Sequence, residues 1–339
     1  MKILVNYPRT KKAVFDTFFT EENIKLAESL GEVVWNDTDD FFRGEVLCEK
    51  IKDCDVYVTV WGSPALTEDI VEAAPKLKLL CHLCGTVVPF VSDAMWDRGI
   101  KCICGNNYFA ESVAEGTISY MLTSLRDIPR YLERLRDEKI WADASDWTES
   151  LMYKTIGVVS YGAIAKHLVR LLKPFKVKLK VYDIVDIPQA DKDEFGIEQV
   201  SLEEVFSSCE IITVHTPLND KTRHLVDDRL LSLIPKGTLF VNTSRGGVID
   251  QEALTKHLVN GDFNAFLDVL EKEPIAPDDP LLSCKNVKIM PHKAGPTLNL
   301  RKVITHDLLI EAHNFVDSGM ALKPQDEITK ERAEMMSRS

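Results

Sequence analysis

Positive charge is in deficit relative to negative charge in this chain. Its 339 residues include 41 Lys and Arg against 53 Asp and Glu, a formal net charge of −12 at pH 7. Such a surplus of negative charge repels nucleic acid and anionic membrane surfaces, so neither is an expected partner. The sequence also lacks an apolar run of bilayer-spanning length, and its opening "MKILVNYP" lacks the apolar core of a signal peptide. These absences predict a cytoplasmic protein.

The eight cysteines include two pairs with short spacing. Cys81 and Cys84 are spaced C-x-x-C, and Cys102 and Cys104 are spaced C-x-C. A zinc site is one interpretation of such spacing. Both pairs lie in strand-like apolar runs, which favours buried, reduced thiols of a protein in a reducing compartment. We therefore expect no metal.

Short apolar runs alternate with helical patterns in two series, one over the first hundred residues and one after Lys154. This alternation predicts two α/β domains with parallel sheets and helices on both faces. A helical pattern interrupted by Pro129 lies between the series, and the polar tail from Pro324 is expected to fray. The predicted strands are KILVNY, EVVWN, CDVYVTV, KLKLLCHL and IKCICG, then TIGVVS, VKLKVYD, EIITVH, GTLFVNTS, FNAFLDV and NVKIMPH.

The segment "TIGVVSYGAIAKHLVRLL" predicts a buried strand, a tight turn and a helix, the setting of the dinucleotide-binding pattern G-x-G-x-x-G. Only the middle glycine, Gly162, is present, with Ser160 in the first position and Ala165 in the third. The middle position is the least replaceable, because a Cβ there would occupy the space of the pyrophosphate. Serine in the first position has a Cβ that disfavours the dihedral angles of the turn, but its hydroxyl could hydrogen-bond a phosphate or the backbone.

An acidic residue stands where a dinucleotide fold binds the adenosine ribose. Asp183 follows Gly162 by 21 residues and ends the run "KVYD". A carboxylate there accepts hydrogen bonds from the ribose hydroxyls and repels a 2′-phosphate, and Ile184 and Val185 follow it rather than an arginine. The pattern favours NAD over NADP, although a single aspartate after a strand is also an ordinary turn residue.

Three later segments place polar residues at the carboxyl ends of predicted strands, where ligands of such sheets bind. They contain Arg245, then Asp268 and Glu273, then His292. A guanidinium can pair with a carboxylate and polarise a carbonyl, an imidazole can exchange a proton, and a glutamate can hold that imidazole. Each residue alone also has an ordinary structural reading; the combination suits carbonyl reduction by hydride transfer.

The chain resembles the D-isomer-specific 2-hydroxyacid dehydrogenases from about residue 50 to 317. The matching stretches include "ESVAEGTISYML", "VHTPLNDKTRHLV", "LIPKGTLFVNTSRGGVID", "LDVLEKEP" and "KIMPHKAG". The resemblance implies that Arg245 binds the substrate carboxylate, that His292 paired with Glu273 is the acid/base, and that Asp268 meets the nicotinamide. It also implies an NAD site that includes Ser160, Gly162, Ala163, Ile164, Asp183, Thr216, Pro217, Thr243 and Ser244, and a substrate loop with the backbone N–H groups of Gly85 and Thr86.

The family's architecture implies a Rossmann cofactor domain, residues 106–295, inserted into a flavodoxin-like substrate domain, residues 1–105 plus 296–339. The helix from about residue 111 would build a homodimer interface. Trp141 and Trp147 lie beyond it and either reach a neighbouring subunit or pack on the surface.

The leading hypothesis is an NAD-dependent reductase of a small 2-oxo acid, or oxidase of a D-2-hydroxy acid. An NAD(H)-sensing, corepressor-like protein and a scaffold that lost NAD through Ser160 are the alternatives. The substrate itself is not predicted, because "CGTVVPF" departs from the family's loop; Trp61, Cys84 and Phe90 are candidates for an apolar lining.

Overall fold

A computed structural model describes residues 1–141 and 147–336. The chain divides into two compact units. Unit 1 is Met1–Phe109 together with the segment from Pro296 onward, and unit 2 is Ala110–Gly295. Each unit contains a parallel sheet with helices, so the predicted fold class, two doubly wound α/β domains, is confirmed.

The sheet of unit 1 has the strand order β2-β1-β3-β4-β5, the flavodoxin-like order. Strands β3 and β4 of this sheet are fully buried, as expected where helices cover both faces. All five predicted runs form strands. They are β1 (Lys2–Val5), β2 (Glu32–Trp35), β3 (Val56–Thr59), β4 (Leu79–His82) and β5 (Lys101–Cys104).

Helices α1 to α6 follow strands of unit 1 along the chain, α6 ends in unit 2, and α13 and α14 belong to the segment from Pro296 onward. They are α1 (Lys12–Phe18), α2 (Glu21–Leu30), α3 (Gly44–Ile51), α4 (Glu68–Ala73), α5 (Asp93–Asp97), α6 (Asn106–Leu125), α13 (Leu298–Ser318) and α14 (Lys330–Glu334).

The expectation of a frayed tail is wrong for the described residues. Glu327 pairs in antiparallel fashion with Ile103 of β5, and Thr329 caps α14. Ile328 and Ala333 are buried in the core of unit 1. Two apolar anchors in a polar stretch are enough to dock this segment, which composition alone does not reveal.

The sheet of unit 2 has seven strands in the order β12-β11-β10-β9-β6-β7-β8. The six predicted runs all form strands; the seventh, β8, has three residues and escaped prediction because it is too short to show a period. The strands are β6 (Thr155–Val159), β7 (Lys178–Tyr182), β8 (Ile197–Gln199), β9 (Ile211–Val214), β10 (Leu239–Asn242), β11 (Asn264–Leu267) and β12 (Val287–Ile289).

The long helical pattern breaks before Pro129. Helix α6 ends at Leu125, Asp127 adopts a left-handed φ of 47°, and Pro129 lies in the first turn of the next helix, where its missing N–H costs nothing. The other helices of unit 2 are α7 (Ile128–Glu133), α8 (Ala163–Leu172), α9 (Gln189–Phe195), α10 (Leu202–Ser208), α11 (Asp228–Leu231) and α12 (Gln251–Asn260), with a π-helical turn at Arg134–Glu138.

Candidate active site

The predicted site residues of unit 2 follow the carboxyl ends of its strands. Because the strands are parallel, these ends lie along one edge of the sheet. Ser160 and Gly162 follow β6, Asp183 follows β7, Thr216 and Pro217 follow β9, Thr243, Ser244 and Arg245 follow β10, Asp268 and Glu273 follow β11, and His292 follows β12.

The turn after β6 has the conformation that glycine usually supplies. Ser160 has a φ of +77°, in the left-handed region that non-glycine residues disfavour. Two contacts hold it there: its N–H donates to the carbonyl of Tyr182 at 2.8 Å, and its hydroxyl lies 2.7 Å from that of Thr216. The backbone at Ser160 is therefore strained, and the hydrogen bond with Thr216 stabilises the serine in this conformation.

Gly162 lies immediately before α8. A Cβ built on it would find nothing within 4 Å, and no side chain caps the first turn of the helix. The uncapped N–H groups and the open space above the glycine are what a pyrophosphate requires at a helix N-terminus. Ala163 is exposed, Ile164 is half-buried, and Ala165 is buried against the sheet.

Asp183 is tied to this loop. Its carboxylate accepts hydrogen bonds from the N–H of Tyr161 at 2.6 Å and from the N–H of Val185 at 2.9 Å. An ionised carboxylate has about four acceptor positions, so capacity remains for ribose hydroxyls. Ile184 and Val185 beside it are strongly exposed apolar residues.

Glu273 and His292 form a hydrogen-bonded pair. One carboxylate oxygen of Glu273 lies 3.0 Å from Nδ1 of His292, and the other accepts the N–H of Leu270 at 3.0 Å. The carboxylate is thus fixed by the backbone, and it fixes the imidazole in turn. Both side chains remain accessible, at 40% and 46% exposure, so the imidazole Nε2 is left for a ligand.

Arg245 lies in the loop between β10 and a short 3₁₀ turn, Gly246–Val248. Gly246 permits this loop to touch the one after β11, because a Cβ there would overlap the backbone of Leu270. Burial lowers the pKa of the Arg245 guanidinium, and the carboxylate of Glu273 opposes that shift. The guanidinium stays charged at neutral pH and interacts electrostatically with the carboxylate that holds His292.

Asp268 is almost fully buried and has three donors. Its carboxylate accepts hydrogen bonds from the Tyr120 hydroxyl at 2.7 Å, the Lys293 N–H at 2.8 Å and the Ala294 N–H at 3.0 Å. Its backbone carbonyl also accepts the N–H of His292 at 2.9 Å. The family resemblance implies a nicotinamide contact for Asp268, which stays a prediction; the three donors to its carboxylate were not predicted.

Gly85 and Thr86 lie after β4 in unit 1 and are partly exposed. The three candidates for a substrate lining differ: Cys84 and Phe90 are buried in the core, whereas Trp61 is 43% exposed. The guanidinium of Arg301 stacks on both Trp61 and Phe18. This contact was not predicted, because nothing in the sequence of α13 distinguishes Arg301 from a solvated charge.

The eight cysteines of the described chain are free thiols, and Cys81, Cys84, Cys102 and Cys104 are buried. Within residues 1–141 and 147–336 no group of three potential ligands is placed to hold a metal ion, and no helix is long and apolar enough to cross a membrane. A cavity of about 400 Å³ lies between α5 and α14. None of the predicted site residues lines it, so we do not assign it to the active site.

Comparison with known proteins identifies the family. The sequence profile of the D-isomer specific 2-hydroxyacid dehydrogenase, NAD binding domain, matches residues 118–294. A D-3-phosphoglycerate dehydrogenase of Methanocaldococcus jannaschii is 34% identical over 83% of this chain, which spans only 53% of that relative. A glyoxylate reductase of Korarchaeum cryptofilum is 31% identical over 76% of this chain and 78% of its own.

A solved structure has the same fold over nearly its whole length. The phosphoglycerate oxidoreductase from Rhizobium etli has a TM-score of 0.80 and 22% identity, over 97% of this chain and 99% of its own. The family profile covers the unit that contains the strand edge described above, and the nicotinamide cofactor follows from that profile. The chain belongs to the D-isomer-specific 2-hydroxyacid dehydrogenase family.

Proposed function

We propose that the protein is an NAD-dependent oxidoreductase that interconverts a small 2-oxo acid and the corresponding D-2-hydroxy acid. The observation that carries the proposal is the hydrogen-bonded pair of Glu273 and His292 at the carboxyl edge of the unit 2 sheet. The charged guanidinium of Arg245 follows the neighbouring strand β10 at the same edge and interacts electrostatically with the carboxylate of Glu273. A fixed cation, a carboxylate and a partly exposed imidazole together suit a substrate that has a carboxylate next to a carbonyl.

The residues present fit a dinucleotide. The open space at Gly162 and the uncapped N-terminus of α8 suit the pyrophosphate, and Asp183 suits the adenosine ribose. Ala163, Ile164, Thr216, Pro217, Thr243, Ser244 and Asp268 are the other residues we assign to its binding. When bound, reduced NAD supplies the hydride that the carbonyl carbon receives.

The cofactor preference is assigned to NAD rather than NADP. The carboxylate of Asp183 would lie against any 2′-phosphate, and the exposed neighbours Ile184 and Val185 offer it no positive charge. The same two apolar side chains provide a surface for the adenine ring. Asp183→Ser is expected to weaken NADH binding and to narrow the preference over NADPH.

In reduction, His292 donates a proton from Nε2 to the carbonyl oxygen as that oxygen gains charge, and in oxidation it accepts the proton back. Glu273 keeps Nδ1 engaged, which selects the nitrogen that faces the substrate. Arg245 binds the substrate carboxylate through two parallel hydrogen bonds and polarises the adjacent carbonyl; its partial burial strengthens both effects.

Unit 1 is assigned to the substrate, and the N–H groups of Gly85 and Thr86 to its carboxylate. The glyoxylate reductase and phosphoglycerate dehydrogenase relatives suggest a short 2-oxo acid, with or without a distal anionic group.

We also propose a homodimer. Several exposed apolar side chains follow one another in the sequence from α7 onward, and a second subunit would cover them. They are Ile128, Leu132, Leu135, Ile140, Trp141 and Trp147.

The test combines a binding assay with a turnover assay. Saturating NADH should raise the melting temperature, because a ligand selective for the folded state stabilises it. A panel of glyoxylate, pyruvate, hydroxypyruvate and its 3-phosphate, followed at the NADH absorbance, should show one preferred acid. Binding without turnover on any acid would favour an NAD(H)-sensing protein, and absence of binding would favour a scaffold that has lost the cofactor.

A further inference from the structure

We propose that Tyr120 is a positioning residue for the acid/base His292 and acts through Asp268. This inference rests on the proposed function of His292. Tyr120 lies on α6, 148 positions before Asp268, and its hydroxyl donates to that carboxylate at 2.7 Å. Burial first, and then the bond to Asp268, raise the pKa of Tyr120, so the phenol stays protonated and remains a donor.

The ring of Tyr120 is held as firmly as its hydroxyl. It stacks on Phe266 of β11 with ring centroids 4.1 Å apart and an angle of 8° between the planes. Phe266 lies two residues before Asp268, so the same tyrosine contacts the end of this strand through its face and through its oxygen. Neither contact leaves the hydroxyl free to turn toward another partner.

Asp268 in turn supports the backbone that presents His292. Three successive N–H groups bind it: that of His292 to its carbonyl and those of Lys293 and Ala294 to its carboxylate. His292 has a φ of +54°, a strained conformation for a non-glycine residue. Such strain persists only where surrounding contacts over-determine it, and these three bonds do so.

The buried carboxylate needs the third donor. Asp268 is 2% exposed, so when its carboxylate loses one of three donors, part of its acceptor capacity stays unmet unless the site rearranges. Oδ1 shares its capacity between the Tyr120 hydroxyl and the Lys293 N–H. Without the hydroxyl, the carboxylate is expected to rotate or admit water, which shifts the N–H groups it holds and therefore the imidazole.

Helix α6 also lies tightly against this segment. A Cβ on Gly116, one turn before Tyr120, would come within 2.6 Å of the carbonyl oxygen of Ala294, and one on Gly295 would meet Ser112 at 2.9 Å. Thr117 on the same helix lies 3.1 Å from Thr243 through their hydroxyl oxygens. The helix therefore contacts the ends of β10, β11 and β12. The hydroxyl of Tyr120 donates its hydrogen bond to Asp268, which binds the backbone of His292.

The test is Tyr120→Phe, which keeps the ring and removes the hydroxyl. We expect kcat to fall about tenfold with the KM of the 2-oxo acid little changed, because a displaced proton donor impairs the reaction more than binding. The kinetic isotope effect with NADH deuterated at the transferred position should rise, since the chemical step becomes more limiting. The ring signals of His292 in NMR spectra, assigned with His292→Gln, should move in the cofactor-free protein.

The matched control is Tyr57→Phe. Tyr57 is a buried tyrosine of unit 1 whose hydroxyl accepts from Asn6 at 2.9 Å, so its removal lowers stability without touching this network. We expect wild-type kcat, isotope effect and His292 signals in that variant.

The outcomes separate the two proposals. If wild type reduces a 2-oxo acid while Tyr120→Phe keeps its kcat, isotope effect and His292 signals, the positioning role is overturned and the proposed function stands. If wild type reduces no 2-oxo acid, the proposed function fails; the His292 signals then decide the positioning role alone, and unmoved signals overturn it.

Discussion

The hydroxyl oxygens of Ser160 and Thr216 lie 2.7 Å apart, which joins the first position of the dinucleotide loop to the end of β9. Ser160 at the same time has a φ of +77°. The hydrogen bond is worth about 1 kcal/mol and the unfavourable backbone costs about the same. The serine is therefore tolerated in a glycine position because a neighbouring hydroxyl compensates for its Cβ.

This balance predicts different effects for two substitutions of Ser160. Ser160→Ala keeps the strain and loses the bond, so it should destabilise the protein by roughly 1 kcal/mol or more. Ser160→Gly loses the bond but relieves the strain, so it should remain close to wild type. Thermal unfolding of both variants measures the difference. Equal stabilities of the two, or a more stable alanine variant, would contradict the account.

Glu273→Gln tests whether the carboxylate serves His292 as a charge as well as a hydrogen-bond partner. The amide can still accept from Leu270 but cannot stabilise a protonated imidazole, so kcat should fall roughly 10²-fold with NADH affinity retained. Steady-state kinetics and NADH titration provide the two numbers. Glu271→Gln is the control, because Glu271 pairs with Arg223 and His224 instead, and it should retain wild-type kcat.

Arg245→Ala should raise the KM of the 2-oxo acid and also lower kcat, because in the proposed reaction the guanidinium serves both binding and polarisation. Arg245→Lys should recover little of either, since an ammonium cannot pair with a carboxylate through two parallel bonds. Arg223→Ala removes a guanidinium that pairs with Glu271 and provides the control. Unchanged KM and kcat in Arg245→Ala would remove this residue from the site.

The raised pKa of the Asp326 carboxyl group leads us to expect that the stability of the protein depends on pH. This residue is not one of the candidate site residues. Burial first, and then repulsion from Glu311, raise its pKa to about 7, while Asp307 adds to the shift and Lys323 opposes it. The folded state therefore holds a proton that the unfolded state has lost, and stability falls as pH rises from about 4 to about 7.

Asp326→Asn mimics the protonated form and should remove this cost. Its gain in melting temperature over wild type should be larger at pH 8 than at pH 5. A gain of equal size at both values would show that the carboxyl group does not titrate in this range.

Periodic features were predictable from sequence and contacts across the fold were not. The alternation of apolar runs located eleven of the twelve strands found in residues 1–141 and 147–336. The candidate residues Arg245, Glu273 and His292 were selected by residue type and by their position after predicted strands. The left-handed φ of His292 has no signature, because it arises from bonds to Asp268. The contact of Tyr120 with Asp268 is likewise invisible, since tyrosine on a helix ordinarily indicates only packing.

The most direct test of the account is the single-turnover oxidation of bound NADH by the preferred 2-oxo acid in wild type and in His292→Ala. We predict a loss of roughly 10²- to 10⁴-fold in the rate of hydride transfer, the usual contribution of a positioned acid/base, with the Kd for NADH nearly unchanged. Transfer at the wild-type rate in His292→Ala would show that the imidazole beside Glu273 is not the proton donor.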